Sequence, residues 1–196
     1  MNKKDNEDAV SSLKPAVLIF ITLAFITGII YPLTVFAAGQ ILFPWQAHGS
    51  LVYDKNGSVA GSQLIGQQFT DKKYFWPRPS STGDHPYNPL ASSGSNLGPT
   101  NKILIDRIQN SAADQRNANG NGPVPTDLVM SSASGLDPEI SVEAARFQAD
   151  RVAKARGMTL DEVNKLIDSQ TEKPILGILG TERVNVLSLN NALDSK

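Results

Sequence analysis

Cysteine is absent from this 196-residue sequence, and histidine occurs only twice. The missing cysteines exclude a disulfide framework, a thiolate metal site and a cysteine nucleophile. Two histidines are too few for a multi-histidine metal site. Neither sign of charge is in excess, since 18 Lys and Arg stand against 19 Asp and Glu, which gives a formal net charge of −1. This balance argues against a nucleic-acid-binding protein.

Sequence motifs for handling ATP are also absent. No G-x-x-x-x-G-K-[ST] sequence occurs, and residues 94–98 lack the lysine and the preceding strand that a phosphate-binding loop needs. No Asp-Lys-Thr-Gly sequence occurs, so the phosphorylated aspartate of P-type pumps is not in this chain.

Charged residues are missing between Lys14 and Asp54, and this stretch begins with a long apolar run. A helix over residues 15–38 would measure roughly 36 Å, enough to cross a hydrocarbon core of about 30 Å. Pro32 is expected to kink this helix near its far end. The alternative is a cleaved signal peptide, because residues 35–37 (Val-Phe-Ala) resemble a cleavage site. The run, however, exceeds the ~7–15 apolar residues of such a signal.

The flanking charges predict the orientation of this helix. Lys3, Lys4 and Lys14 precede the span and only Lys55 closely follows it, which places the N-terminus in the cytoplasm. The predicted fold class is an α+β extracytoplasmic domain anchored in the cell (inner) membrane by a single N-terminal transmembrane helix. Its parts are a cytoplasmic tail (1–14), the transmembrane helix (15–38) and the outer domain (39–196).

Two small residues in the predicted span are candidates for helix packing. Ala24 and Gly28 are separated by one helical turn and share a face, which would let another helix approach closely.

The first half of the outer domain is predicted to be poor in regular structure. Apolar stretches on both sides of Asn56-Gly57 predict a hairpin within residues 51–70. Residues 71–101 are rich in Pro, Ser, Gly and Asn, which excludes long helices and strands. The same segment carries the aromatic residues Tyr74, Phe75, Trp76 and Tyr87. We therefore expect an ordered recognition loop rather than a disordered linker.

Helices are predicted after this loop. The first opens at Gly98-Pro99 with the proline in the first helical position, and it fades in the Asn/Gly run at 117–122. The second is capped by Asp137, starts at Pro138 and runs to Arg156, with Gly157 as a left-handed cap.

Two shorter helices are predicted near the end of the chain. The capping box Thr159-x-x-Glu162 predicts a helix over about 160–169. The last segment, 183–194, fits both a strand and a helix by its apolar spacing, and we assign a terminal helix capped by Asn185.

The helix ending at Arg156 has three kinds of surface. Val142, Ala145, Ala149 and Val152 form a buried stripe, and the charged residues at 143, 146, 150 and 154 form a solvated face. A third strip, made of Ala144, Gln148, Arg151 and Ala155, would admit a partner surface, although simple exposure of Gln148 and Arg151 explains it equally well.

Two other functions stay open at this point. A serine hydrolase would use Asp84, His85 and a nearby serine, but no G-x-S-x-G motif surrounds any serine of that region. An extracytoplasmic solute- or carbohydrate-binding module would use the aromatic residues of the recognition loop.

Five motifs in order resemble those of one known family. They are YFWPRPSSTG (74–83), SSGSNLGPTN (92–101), SSASGLDPEIS (131–141), AARFQADRVAKARG (144–157) and RVNVLSLN (183–190). The sequence resembles the C subunit of the Kdp-type potassium-transporting ATPase over nearly its whole length. The Asn/Gly run at 117–122 and the N-terminal tail depart from the family pattern.

The resemblance implies an accessory subunit of an ATP-driven potassium uptake complex. A P-type ATPase subunit and a channel-like potassium-binding subunit would be the partners and would handle ATP and potassium. This chain would bind no cofactor or metal directly and would have no catalytic centre. The family's C subunit is described as stabilising the complex and as a catalytic chaperone that raises the ATP affinity of the pump subunit. Because the derived topology separates the outer domain from cytoplasmic ATP, we favour indirect coupling through the partners.

The resemblance also implies interface candidates. These are Arg78, Asn96, Asn101, Gln148 and Arg151 in the outer domain, together with Ala24 and Gly28 in the span. The competing interpretation, which we favour for Asn96, is that its side chain shapes a turn, as asparagine often does. Replacing Arg78 and Arg151 by Ala is expected to weaken co-purification of the complex without changing the melting of the outer domain.

Overall fold

A helical stretch forms the first part of the chain. The computed structural model describes the backbone of residues 3–196 and the side chains from residue 12 onward, so residues 1 and 2 of the predicted tail lie outside the described residues. Helix α1 covers Lys3–Phe25, a π-helical turn covers Ile26–Ile30, and α2 covers Tyr31–Leu42. A short helix, α3, covers Pro44–Ala47, and this unit closes at Gly49.

The most apolar 18-residue window of the stretch Ser12–Leu42 has a mean hydropathy of 2.4, and this window is not buried within the chain. Among the described residues it is the one helix long and apolar enough to span a membrane. The hydroxyls of Thr27 and Thr34 each donate to a carbonyl one turn earlier at 2.8 Å, which satisfies them without water. The α-helical hydrogen-bond pattern is interrupted before Pro32 by the π-helical turn, whose wider geometry leaves room for the proline ring. The predicted kink at Pro32 stays a prediction.

The second unit, Ser50–Lys196, begins with the predicted hairpin. Strands β1 (Leu51–Tyr53) and β2 (Val59–Ser62) pair antiparallel. The Asp54 carboxylate accepts hydrogen bonds from the backbone N–H of Asn56 and Ser58, and Gly57 takes a φ of +79°. These local contacts close the turn at the predicted dipeptide.

The remaining elements follow a long irregular segment that contains only a 3₁₀ turn at Pro89–Ala91. They are α4 (Lys102–Asn119), a 3₁₀ turn (Thr126–Leu128), β3 (Glu139–Ser141), α5 (Val142–Arg156), α6 (Leu160–Gln170), β4 (Thr171–Glu172), β5 (Arg183–Asn185) and α7 (Val186–Asp194). Strand β5 lies between β3 and β4, and both pairings are antiparallel.

Helix α5 lies at the centre of the hydrophobic core and packs against α4, α6 and the sheet. Its small residues Ala145 and Ala149 are fully buried, so neighbouring elements approach its backbone closely. The core also contains Phe75, Leu128, Ile140, Val152, Val163, Ile167, Val184, Leu189 and Leu193. Phe75 is the contribution of the recognition loop, which is therefore an integral part of the packed domain.

Two predicted helix starts are wrong, and side-chain caps explain both. Helix α4 starts at Lys102 rather than Pro99, because the Asn101 side chain accepts from the backbone N–H of Ile103. Helix α5 starts at Val142 rather than Pro138, because the Ser141 hydroxyl caps the N–H of Ala144 and residues 139–141 pair with β5.

The predicted helix ends and the last two helices are confirmed. Gly157 ends α5 with a φ of +67°. Thr159 and Glu162 form the complete capping box of α6. Asn185 is both the last residue of β5 and the cap of α7, so the terminal segment contains a short strand and the assigned helix.

Candidate functional site

The recognition loop (residues 71–101) is held against the domain by a clamp of three side chains, Gln148 and Arg151 of α5 and Asn190 of α7. The Asn190 amide accepts from the N–H of Phe75 at 2.8 Å and donates to the carbonyl of the same residue at 3.0 Å. The Gln148 amide likewise accepts from the N–H of Trp76 at 2.8 Å and donates to the carbonyl of Trp76 at 3.1 Å. Each amide therefore replaces a neighbouring strand, satisfying both backbone groups of a loop residue.

Arg151 completes the clamp and is 6% exposed. Its guanidinium donates to the carbonyls of Lys72 and Tyr74, to the Asn119 side chain at 2.7 Å, and to Gln148 at 2.8 Å. It also stacks on the Trp76 ring with 3.9 Å between Cζ and the ring centroid. Burial lowers the pKa of Arg151 to about 10, so the side chain still carries its charge at neutral pH. A buried cation with this set of acceptors fixes residues 72–76 in one conformation.

The expectation of a free partner surface on the third strip of α5 is therefore wrong. Ala144 and Gln148 are completely buried and Arg151 is nearly so. Gln148 and Arg151 are covered by residues 72–76 of the same chain, whose backbone polar groups need buried partners, whereas Ala155 at the end of the strip is exposed. These contacts also change what we expect of Arg151→Ala: the substitution removes the hydrogen bonds just described, so the melting temperature of the domain should fall instead of staying unchanged.

Arg78 follows the clamped residues and lies in a different environment. Its Nη1 forms an ion pair with Asp137 Oδ2 at 2.8 Å, and its side chain is 27% exposed. The buried Nε of Arg78 has no hydrogen-bond partner within the part of the chain that the structure describes. Arg78 is thus half-buried and paired with Asp137 through Nη1, while its buried Nε–H donates to no acceptor of the described residues.

Arg78 also separates two open clefts. The first, about 390 Å³, is lined by Trp76, Tyr87 and Asp114 among others. The second, about 680 Å³, is lined by Asp137 and the serine-rich residues 131–134. The Arg78 side chain lines both clefts, so a partner group entering either one would meet it.

Tyr87 fixes the backbone beneath this arginine. Its hydroxyl donates to the carbonyl of Arg78, and its backbone N–H donates to the Ser80 hydroxyl at 2.9 Å. Burial, with a further contribution from the Asp137 carboxylate, raises the pKa of Tyr87 well above the ordinary value. The phenol therefore stays protonated and keeps its hydrogen bond across the neutral range.

Three serine-rich stretches meet beside Tyr87, and we call residues 80–82, 92–93 and 131–135 the serine-rich cluster. The Ser80 hydroxyl donates to the carbonyl of Gly135 at 2.8 Å, and the N–H of Ser93 donates to the carbonyl of Ser134 at 3.0 Å. Gly135 has a φ of +68°, and a Cβ there would lie 2.7 Å from the carbonyl oxygen of Ser93. The sequence motifs 74–83, 92–101 and 131–141 thus build one surface region.

The other candidates are more scattered. Asn96 is exposed in a left-handed turn with a φ of +53°, and Asn101 serves as the cap of α4. Ala24 lies in α1 and Gly28 in the π-helical turn, and a Cβ added to Gly28 would meet no atom within 4 Å. The structure therefore brings Gln148 and Arg151 against the start of the recognition loop, next to Arg78, and places Asn96 and Asn101 near the end of the same loop. Ala24 and Gly28 belong to the separate helical unit.

Sequence reasoning missed Asn190, Asp137 and Tyr87 as members of this region. Asn190 had a detectable signal, because it is a polar residue beside Leu189 and Leu193 on the apolar face of the terminal helix. Asp137 was interpreted as a helix cap. Its actual partners are the N–H of Glu139 and the guanidinium of Arg78.

Comparison with known proteins identifies the family. The model of the family described as KdpC: K⁺-transporting ATPase, c chain, matches residues 13–195. A protein of Geotalea uraniireducens named potassium-transporting ATPase KdpC subunit is 50% identical, with 94% of this chain and 98% of the relative covered. Proteins of the same name from Polaromonas naphthalenivorans and Methylococcus capsulatus are 53% and 52% identical, covering 93% and 95% of this chain and 94% and 98% of the relatives. The chain belongs to the KdpC family, the c chain of the K⁺-transporting ATPase.

Proposed function

We propose that this chain is a membrane-anchored, non-catalytic subunit that holds the K⁺-transporting ATPase complex together from the extracytoplasmic side. Family membership supports an accessory role within the complex. The non-catalytic role is supported by the hydrogen bonds that the polar side chains of the site form. Gln148, Arg151 and Asn190 bind backbone groups of their own chain, so they shape a surface and are not available to a substrate.

The anchor is the helix over Ser12–Leu42. Lipid requires that backbone N–H and C=O groups be satisfied within the segment, and a continuous helical stretch does this. The lysines at positions 3, 4 and 14 precede the span, which supports a cytoplasmic N-terminus and a folded domain on the opposite side. Ala24 and Gly28 would let a helix of a partner subunit approach this span closely.

The proposed contact surface is centred on Arg78. Its partly exposed guanidinium and the clefts on both sides suit a backbone carbonyl or carboxylate of a partner subunit. We assign this contact to the channel-like potassium-binding subunit, with exposed Asn96 at its edge. Gln148 and Arg151 would act through the clamp, by keeping residues 72–78 in the bound conformation before the partner arrives.

The proposed orientation places the bilayer between the folded domain and cytoplasmic ATP. The chain would then raise the ATP affinity of the P-type ATPase subunit indirectly, by binding one conformation of the complex better than another. Nucleotide should therefore leave the reactivity of a label on the outer domain of the isolated chain unchanged. Protection of that label by ATP would contradict this coupling.

Co-purification of the complex in mild detergent tests the contact surface. Arg78→Ala in the full chain should reduce the recovered partner subunits several-fold. Arg146→Ala removes the same charge from an exposed position of α5 and should recover them at the normal level. Normal recovery with Arg78→Ala would remove Arg78 from the proposed surface.

A second control separates partner contact from folding. Asp137→Asn breaks the same ion pair but keeps the guanidinium of Arg78. If Arg78 contacts a partner, Asp137→Asn should recover more of the complex than Arg78→Ala does. Equal losses in the two variants would show that the ion pair only supports the fold.

A further inference from the structure

The segment between β4 and β5 carries an exposed apolar tip, which we define as residues 174–180 (PILGILG). Ile175, Leu176, Ile178 and Leu179 are 65%, 87%, 79% and 59% exposed. No charged residue occurs from Pro174 to Gly180, whereas Lys173 and Glu182 lie just outside. Single exposed aliphatic residues are ordinary, but four within five positions form a patch of the kind that marks a membrane or protein contact.

The backbone of this tip is prepared for an apolar environment. Ile175 and Leu179 exchange two backbone hydrogen bonds of 2.9 and 3.0 Å, and the N–H groups of Gly177 and Ile178 donate to carbonyls within the tip. Pro174 has no N–H to satisfy. Because an unsatisfied amide is costly to bury, this internal pairing lowers the cost of entering lipid.

The apex holds an apolar residue at an energetic cost. Leu176 has a φ of +55°, a conformation in which glycine or asparagine is usual and leucine is rare. The neighbouring Gly177 has a φ of +76°. Local backbone energetics would favour a polar or glycine residue at position 176, so the leucine points to a role for its side chain outside the fold.

The folded domain is tethered to a bilayer if the apolar helix is embedded, as proposed above. Helix α2 ends at Leu42 and the folded domain starts at Ser50, so the connecting residues can extend only about 25 Å. The tip itself is smaller than the roughly 800 Å² per partner that a stable protein interface buries. The short tether and the small apolar surface favour lipid over a protein as the occupant.

We propose that the apolar tip inserts into the headgroup and acyl boundary of the bilayer that holds the N-terminal helix. The domain is then attached to the membrane at two points, the helix and the tip. This second attachment restricts rotation of the domain about its tether, which orients the Arg78 surface before any partner subunit is present. Insertion of the tip rests on the proposed membrane anchor but requires no partner subunit.

Single labels test this directly, because the chain has no native cysteine. The full chain carrying Leu176→Cys is labelled with a polarity-sensitive fluorophore and reconstituted alone into phosphatidylcholine and phosphatidylglycerol vesicles. Leu90→Cys, at a residue 96% exposed elsewhere on the same domain, is the matched control. Ile21→Cys, in the apolar helix, marks a position inside the bilayer.

Lipids that carry a spin label on the acyl chain should quench the Leu176 label several-fold more than the Leu90 label, with a blue-shifted emission. Adding Ile178→Asp to the Leu176→Cys chain should reduce the quenching to the Leu90 level. Equal quenching at 176 and 90, with strong quenching at 21, would overturn the proposal while leaving the anchor intact. Weak quenching of the labels at positions 21 and 176 would overturn both the proposed membrane anchor and the proposed insertion of the tip. If the label at position 176 is shielded only after partner subunits are added, the tip contacts a protein and not lipid, and the proposal is overturned.

Discussion

Arg151→Ala should strongly destabilise the outer domain. The guanidinium donates hydrogen bonds to Lys72, Tyr74, Asn119 and Gln148 from a position that is 6% exposed. Hydrogen bonds to a charged group contribute about 1.5 kcal/mol each, and the stack on Trp76 adds up to about 1 kcal/mol. Allowing for water that enters the vacated space, we expect a loss of about 4 kcal/mol in the free energy of unfolding.

The matched control is Arg146→Ala, on the same helix. The Arg146 side chain is 57% exposed and forms a surface ion pair with Asp168, which contributes at most about 1 kcal/mol. For a domain of this size, the melting temperature should fall by about 12 °C for Arg151→Ala and by no more than about 3 °C for Arg146→Ala.

Thermal unfolding of the full chain in detergent, followed by the fluorescence of Trp76 in a Trp45→Phe background, measures both values. Trp76 reports directly on the clamp, because the Arg151 guanidinium lies over its ring. If Arg151→Ala melts within about 3 °C of the parent, the clamp does not hold the recognition loop and the reasoning is refuted.

Three further predictions concern the same region. Gly135→Ala should cost at least about 2 kcal/mol in unfolding free energy, since its Cβ would meet the Ser93 carbonyl, whereas Gly157→Ala, at a similar φ but with no atom within 4 Å, should cost only about 1 kcal/mol. Chemical denaturation of the two variants measures the difference. Asn190→Ala should cost about 2 kcal/mol by leaving both backbone groups of Phe75 unpaired, which the same titration would show. Above pH 10 the Tyr87 phenol ionises in the unfolded chain but stays protonated in the fold, because its folded pKa is raised. Stability from this group is therefore present below pH 10 and falls as the pH rises further. Tyr87→Phe should reduce that alkaline slope in unfolding measurements, leaving the part due to Tyr74, whose pKa burial also raises. An unchanged slope would contradict the assignment.

Local signals account for the parts of the fold that the sequence predicted correctly. The capping box of Thr159 and Glu162, the glycine at 157 and the Asn56-Gly57 turn each act through hydrogen bonds or backbone angles within a few residues. Such features depend little on the rest of the domain. The same holds for Asn185, whose side chain caps α7 three residues later.

Long-range pairing accounts for the errors that concern β3 and helix α5. Residues 139–141 became a strand because they pair with residues 183–185, and no pattern near Pro138 reveals that partner. Gln148 and Arg151 were expected to face outward because their polarity is typical of exposed positions. Their burial depends on backbone groups more than 70 residues earlier in the chain. Burial of a polar residue by a distant irregular segment is not encoded in helical periodicity.

One labelling experiment tests the central claim of an outward-facing subunit of the transport complex. The tagged Leu90→Cys chain is treated with a membrane-impermeant maleimide on intact spheroplasts and then purified in mild detergent. We predict that the chain is labelled before lysis and that the labelled chain elutes together with the ATPase subunit. Labelling only after lysis, or elution of the labelled chain without its partners, would contradict it.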